Sequence, residues 1–223
     1  DPLWSRGLGD VYKRQANEWF VMRLAQRMGL QVPKIERRYV PEPVFIIERF
    51  DREITADAIH RRHAIDACQL LNLDRQFKYT LGSIDTLKVI VEQCRSKLKT
   101  RVRLFDWLIF NVLTGNNDAH LKNLSFLVDS RGIELAPHYD LLSTACYETR
   151  AYADEGARWP ERSELSWPIL GVARFHDLRF EHLVSAGEAL GLGRPAATRQ
   201  LRHQIDRIAG EAQALYALVL QEN

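Results

Sequence analysis

From Leu104 to Ser143 the chain reads LFDWLIFNVLTGNNDAHLKNLSFLVDSRGIELAPHYDLLS, and no other stretch constrains the fold as much. Phe105, Leu108, Ile109 and Val112 recur at helical spacing until Gly115 stops the pattern. The polar cluster Asn116 to Asn123 follows at once. Leu124 to Val128 and Ile133 to Ala136 are short and apolar, and Asp129-Ser130-Arg131-Gly132 between them is turn chemistry, so a hairpin is predicted. A second acidic loop, His138 to Ser143, closes the stretch. A helix that opens into one polar loop and, through a hairpin, into another is the layout of an active site rather than of a core.

The rest of the chain sets limits on what that site can be. At 223 residues it is long enough for a substantial core without disulfides or a structural metal. Its 31 basic and 29 acidic residues leave a formal charge of only +2, which gives no electrostatic pull toward nucleic acid or an anionic membrane. Cys68, Cys94 and Cys146 are scattered, with no C-x-x-C pair, a usage that suits a reducing cytoplasm. No apolar run approaches the ~20 residues of a membrane span, and no leader-like segment opens the chain. A soluble cytoplasmic protein is expected.

Along the chain, residues 1–16 contain two glycines and a proline and no apolar period, so a non-native or disordered terminus is expected there. Asn17 can cap a helix carrying Val21, Leu24, Ala25 and Met28, with Gly29 to close it. Two strands follow around Pro41-Glu42-Pro43. Ile35 to Tyr39 alternates like an edge strand, and the continuous run Val44 to Ile47 predicts a more buried one. From Ala64 onward helices dominate. Ser83 caps one bearing Leu87, Ile90, Val91 and Cys94, and Phe180, Leu183, Val184 and Gly187 mark another. Leu201, Ile205, Ile208, Ala212, Leu215 and Val219 mark the last, on a four-three spacing. Ala151 to Pro168 reads as a charged surface loop, broken by Gly156, Pro160 and Pro168. His60 and His63 lie in a basic stretch that reads as solvated surface.

The D-x-x-x-x-N spacing of Asp118 and Asn123 can supply a base and a cation ligand from one loop. The hairpin returns Asp140 to the same place, where it can serve as a second ligand, and Lys122 can add positive charge toward a phosphate. Two other readings of these residues stand beside this one. Asn116, Asn117 and Asp118 can be local turn residues after a helix. Asp118-x-His120 with His138-x-Asp140 can instead supply the ligand types of a two-metal phosphoesterase.

The segments NNDAHLKNLSFL and APHYDLLS resemble the kinase lobe of the HipA family, the serine/threonine kinase toxins of bacterial toxin and antitoxin modules. NEWFVMRLAQRMGLQV, FIIERFDR and HAIDACQLLNLDRQFKYT resemble further HipA segments in the family's order, so the likeness covers most of Asn17 to Leu192. It implies an α+β, protein-kinase-like fold, with a partial small lobe at 17–50 (a helix plus a β-hairpin) and a mainly α-helical large lobe at 51–223. It further implies ATP- and Mg2+-dependent transfer to a Ser or Thr hydroxyl of a protein, and a HipB-like antitoxin as partner. Asp118 matches the catalytic aspartate and Asn123 and Asp140 the Mg2+ ligands. His120, Leu121, Lys122, Asn123, Tyr139 and Asp140 fall in nucleotide-contacting segments. Glu48, Arg49 and Phe50 fall on the linker that receives the adenine, and Glu18 matches a helix glutamate that orients a phosphate-binding Lys, or is a first-turn Glu favoured by the helix dipole. The family's Gly-rich phosphate loop and strand Lys have no counterpart before Asn17, so a fragment is expected. A catalytically inactive nucleotide-binding or antitoxin-binding module is the alternative. No direct contact with nucleic acid or membrane is expected.

Overall fold

The structure is a computed structural model describing residues 3–39, 43–149 and 158–221. Its centre is helix α4 (Lys97–Leu113), along which Leu104, Phe105, Trp107, Leu108, Ile109, Phe110 and Asn111 are all buried. A helix apolar on every side has to be surrounded, and four others pack about the same core. These are α1 (Leu3–Arg27), α3 (Ile84–Gln93), α5 (Phe180–Ala189) and α6 (Arg194–Gln221); a single turn of helix, α2 (Ala67–Leu70), follows Asp66. Ser83 caps α3 as expected, its Oγ accepting from the Thr86 N–H at 3.1 Å. Gly29, at φ +88°, closes α1 while the Leu30 N–H reaches back to the Ala25 carbonyl at 2.9 Å.

The strands form small antiparallel sheets. β1 (Ile35–Tyr39) pairs with β2 (Pro43–Ile47), and β3 (Arg52–Ile54) with β4 (Ile59–Arg61). The predicted hairpin is present as β6 (Ser125–Asp129) and β7 (Gly132–Leu135), to which β5 (His63–Asp66) adds a third strand, in the order β5-β6-β7. β8 (Glu164–Ile169) pairs with β9 (Val172–Arg174). A mainly helical body with several small antiparallel sheets is consistent with a partial kinase-like α+β fold.

Five expectations need correction. Asn17 is not a cap, because α1 begins at Leu3; two glycines cost an otherwise continuous helix only ~2 kcal/mol, which propagation from a packed segment can outweigh. β2 is no more buried than β1: in a two-stranded sheet one face stays open, so Val44 and Ile46 are exposed while Phe45 and Ile47 turn inward. The chain after Ala64 is less helical than expected, since His63–Asp66 extends along β6. Pro168 does not break β8, because an edge strand tolerates a residue without an N–H; residues 150–157 of the expected loop lie outside the described residues. In α6 the buried position is Gln204 and not Ile205, because the Gln204 amide donates to the Asp106 carboxylate at 2.8 Å beside α4.

Candidate active site

The site begins where α4 ends. Gly115 takes φ +63°, which lets the Asn116 N–H bond the Asn111 carbonyl at 2.9 Å and turns the chain sharply. Asn116 is buried and braces the turn, donating to Asn111 Oδ1 at 2.7 Å and accepting from the Asp118 N–H at 3.1 Å. Asn117 points elsewhere, donating to Glu148 Oε1 at 2.7 Å. The local turn role therefore fits Asn116, while the Asp118 side chain stays exposed. Asp118 lines a cleft of about 650 Å³ together with Tyr79, Asn117, Glu148, Arg158 and Ser166. The Tyr79 hydroxyl donates to Asp118 Oδ1 at 2.7 Å.

Behind Asp118 the two polar loops meet. The Asn123 carboxamide accepts from the His120 N–H at 2.7 Å through Oδ1 and donates to Asp140 Oδ2 through Nδ2. Asp140 sits at φ +56°, in a region a short polar residue tolerates better than most at a cost of about 1 kcal/mol. Burial, and then the negative charge of Asp118, pushes its carboxyl above the usual carboxylate range. Glu18 faces the same cluster from α1: burial, then the Asp140 charge, pushes it up to about 7. Its half-buried place in mid-helix rules out the first-turn reading. Burial, then the nearby Lys78, lowers His120.

The return segment is tied to both sides. Asn17 of α1 clasps Ser143 in two directions, donating to its carbonyl at 2.7 Å and accepting from its N–H at 2.9 Å. Thr144 accepts from the Asn117 N–H at 2.7 Å and donates to the Gly115 carbonyl at 2.8 Å. The other members of the expected site are spread around this frame. Tyr139 donates to the Lys122 carbonyl at 2.6 Å, Lys122 itself is exposed, and Leu121 is fully buried. Phe50 lies 5.6 Å from the Tyr139 ring, so the chain just after β2 reaches the loop that bears Asp140. Glu48, Arg49 and Phe50 line a second cleft of about 410 Å³, which Asp118 and Asp140 do not line. Arg49 is held by Asp51 through two bonds of 2.8 Å.

A two-metal site does not form from His138. Its ring is buried, stacked 6.3 Å from Trp107, and burial pushes it down to about 3. Among the described residues no three His, Cys or acidic side chains converge into a protein-only metal cage. Asp140 nonetheless suits a hard cation, because an Mg2+ held mainly by substrate phosphates needs only one or two protein carboxylates. Asn123 suits it less well as it stands. Its carbonyl oxygen is engaged by the His120 N–H and its amide nitrogen faces Asp140, so it fits as a ligand only with the carboxamide turned over.

Three groups that shape the site were missed in the sequence: Tyr79, Asn17 in its bridging role, and Glu148, which also accepts from Ser163. Tyr79 did lie in the family-like segment ending FKYT, the one available signal. Neither Asn17 nor Glu148 carries a local pattern that announces its distant partner.

Comparison with known proteins places this geometry. The family described as HipA-like C-terminal domain matches residues 5–215. Y4mE of Sinorhizobium fredii is 43% identical over 138 residues, which are 59% of this chain and 33% of that protein. The serine/threonine-protein kinase toxin HipA of Shewanella oneidensis is 34% identical over 152 residues, 59% of this chain and 34% of the toxin. Among solved structures, the Shewanella oneidensis MR-1 complex of HipA, HipB and its operator DNA superposes with a TM-score of 0.77 at 27% identity, over 91% of this chain and 49% of that one. The Helicobacter pylori proinflammatory kinase CtkA shares the fold, with a TM-score of 0.54 at 12% identity over 92% of this chain and 88% of its own. The chain thus spans about a third of the length of these curated relatives. Operator DNA in the HipA complex lends no support to the expectation of no direct contact with nucleic acid. No helix among the described residues is long and apolar enough to cross a membrane.

Proposed function

This chain belongs to the HipA-like C-terminal domain family, and from that premise we propose that it is the catalytic part of a cytoplasmic, ATP- and Mg2+-dependent protein serine/threonine kinase of the HipA toxin type. The observation that carries the reading is one juxtaposition. The exposed Asp118 lines a large cleft and lies close enough to Asp140, which is bonded to Asn123, for its charge to act on that carboxyl.

In this reading Asp118 takes the proton from a substrate Ser or Thr hydroxyl as its oxygen attacks the γ-phosphorus and ADP departs. Asp140 would hold Mg2+, joined by Asn123 once its amide turns. Held there, Mg2+ would supply positive charge against the negative charge that develops on the phosphates. His120, Lys122 and Tyr139, with the backbone at Leu121, flank the nucleotide, and the Glu48 to Phe50 linker receives the adenine. Residues 17–50 then belong to the small lobe and 51–223 to the large one. A HipB-like antitoxin is the proposed regulatory partner, in keeping with the complex in which the Shewanella HipA was solved.

The test is Asp118→Asn in the full-length protein, where it keeps the shape and removes the proton acceptor. Nucleotide binding should persist while turnover falls on the order of 10² to 10⁴. Unchanged turnover would move the base elsewhere. Binding of ATP with no transfer by the unmutated protein would leave a nucleotide-binding module instead.

A further inference from the structure

The carboxylate of Asp118 has one anchor among the described residues, and that anchor is Tyr79. Asp118 is exposed, and its own backbone N–H is spent on Asn116. An exposed aspartate without a tether samples several side-chain orientations, whereas a general base has to meet its proton within hydrogen-bond reach and at a fixed angle. Tyr79 is itself well held. Its ring meets His120 edge-on, with centroids 5.0 Å apart at 68°. The Lys78 ammonium lies 4.6 Å over its face, and the Leu121 N–H bonds the Lys78 carbonyl at 3.1 Å. The segment bearing Tyr79 is thus sewn to the loop bearing Asp118.

We propose that Tyr79 is the positioning residue of the phosphoryl-transfer site: it pins Oδ1 of Asp118 and so leaves Oδ2 turned to the cleft for the incoming hydroxyl. The proposal rests on the reading of Asp118 as general base. Tyr79 is no base itself, since burial and then the bond to Asp118 push its phenol up to about 12 and keep it protonated at neutral pH. It differs from a packing residue in its prediction. Removing the hydroxyl alone should affect the chemical step and not nucleotide affinity.

The experiment compares Y79F, D118N and the double variant with the unmutated sequence, all within the full-length protein. Y79F should lower kcat on the order of tenfold with KM for ATP unchanged, and should cause no further loss when added to D118N. Full turnover in D118N overturns the general-base reading and the inference with it. A large loss in D118N beside unchanged or faster turnover in Y79F overturns the inference alone, the faster case meaning that Tyr79 occupies the substrate's place. A readout independent of turnover is NMR of 13Cζ-labelled tyrosine in the chain as it stands. The Tyr79 phenol should titrate lower in D118N, and an unmoved titration would break the contact on which the inference depends.

Discussion

The loops from Gly115 to Thr144 and the β1–β2 sheet are both irregular parts of one molecule, and they are held in opposite ways. The loops are sewn by side chains: Asn116 to Asn111, Asn117 to Glu148, Asn123 to His120 and Asp140, Thr144 to Gly115, and Asn17 to Ser143. The sheet depends on its own ladder and on one apolar face, Phe45 and Ile47, laid against the core. Its other face, with Val44 38% exposed and Ile46 39%, meets solvent. Charged chemistry needs atoms fixed to within fractions of an ångström, which apolar packing alone does not supply to a loop. A sheet that only covers a cleft can be looser.

If that contrast is real, the largest damage should come from Gly115→Ala. The residue sits at φ +63°, and a Cβ there would lie 2.5 Å from the Ala145 Cβ and 3.1 Å from the Trp159 ring. Backbone strain and overlap together should cost about 3 kcal/mol or more, lowering Tm by roughly 6–12 °C for a chain of this size. Urea denaturation beside a transfer assay checks it. A variant of normal stability would mean that the turn has slack and the loops are not rigidly sewn.

Next comes Asn17→Ala, which leaves the Ser143 N–H unmatched and its carbonyl with only the weak Cys146 thiol donor. Two lost hydrogen bonds, one with its partner stranded, should cost about 2–3 kcal/mol. Release of the His138–Ser143 loop should also weaken the proposed Mg2+-dependent ATP binding, measured by calorimetry. Loss of stability with unaltered binding would assign Asn17 to the fold alone.

The sequence revealed the sewn region better than its stitches. The end of α4, both polar loops and the hairpin between them were legible because each lies within a few residues of a strong periodic signal. Tyr79 and Asp118 are 39 residues apart, Asn117 and Glu148 are 31 apart, and Asn17 and Ser143 are 126 apart. Such pairings depend on tertiary placement and leave no local period. The same cause explains Gln204, whose burial answers a carboxylate on another helix rather than the apolar stripe of its own. Asp118, Asn123 and Asp140 were named from spacing and resemblance, and the fold does bring them together; the amide of Asn123 facing Asp140 could not have been read from either.

The acid cluster offers a smaller effect, with a definite sign. Folded Glu18 keeps its proton up to about pH 7 while the unfolded chain releases it near 4.5, so the folded state binds more protons between those values. Stability therefore falls as pH rises from 4.5 to 7, by about 2 kcal/mol once partial solvation of the side chain is allowed for. Glu18→Gln should flatten that slope and stabilise the protein at pH 8. Parallel urea curves at pH 5 and pH 8 for the two proteins measure it, and an unchanged slope would remove Glu18 from the cluster.

The smallest effect belongs to the sheet. Ile46→Thr keeps β-branching and strand preference while removing exposed apolar surface, and its neighbours Phe45 and Ile47 continue to face the core. Because position 46 already meets water, stability should change by less than about 0.5 kcal/mol. The outer face, where Ile46 and Val44 lie opposite Glu36 and Arg38, still exposes two aliphatic side chains that favour association between molecules. The substitution, combined with Val44→Thr on the same face, should therefore reduce self-association in sedimentation velocity while leaving the urea midpoint nearly still. A loss above about 1.5 kcal/mol would mean that this face is packed in solution, and the contrast between a sewn loop region and an open sheet would fail on its second half.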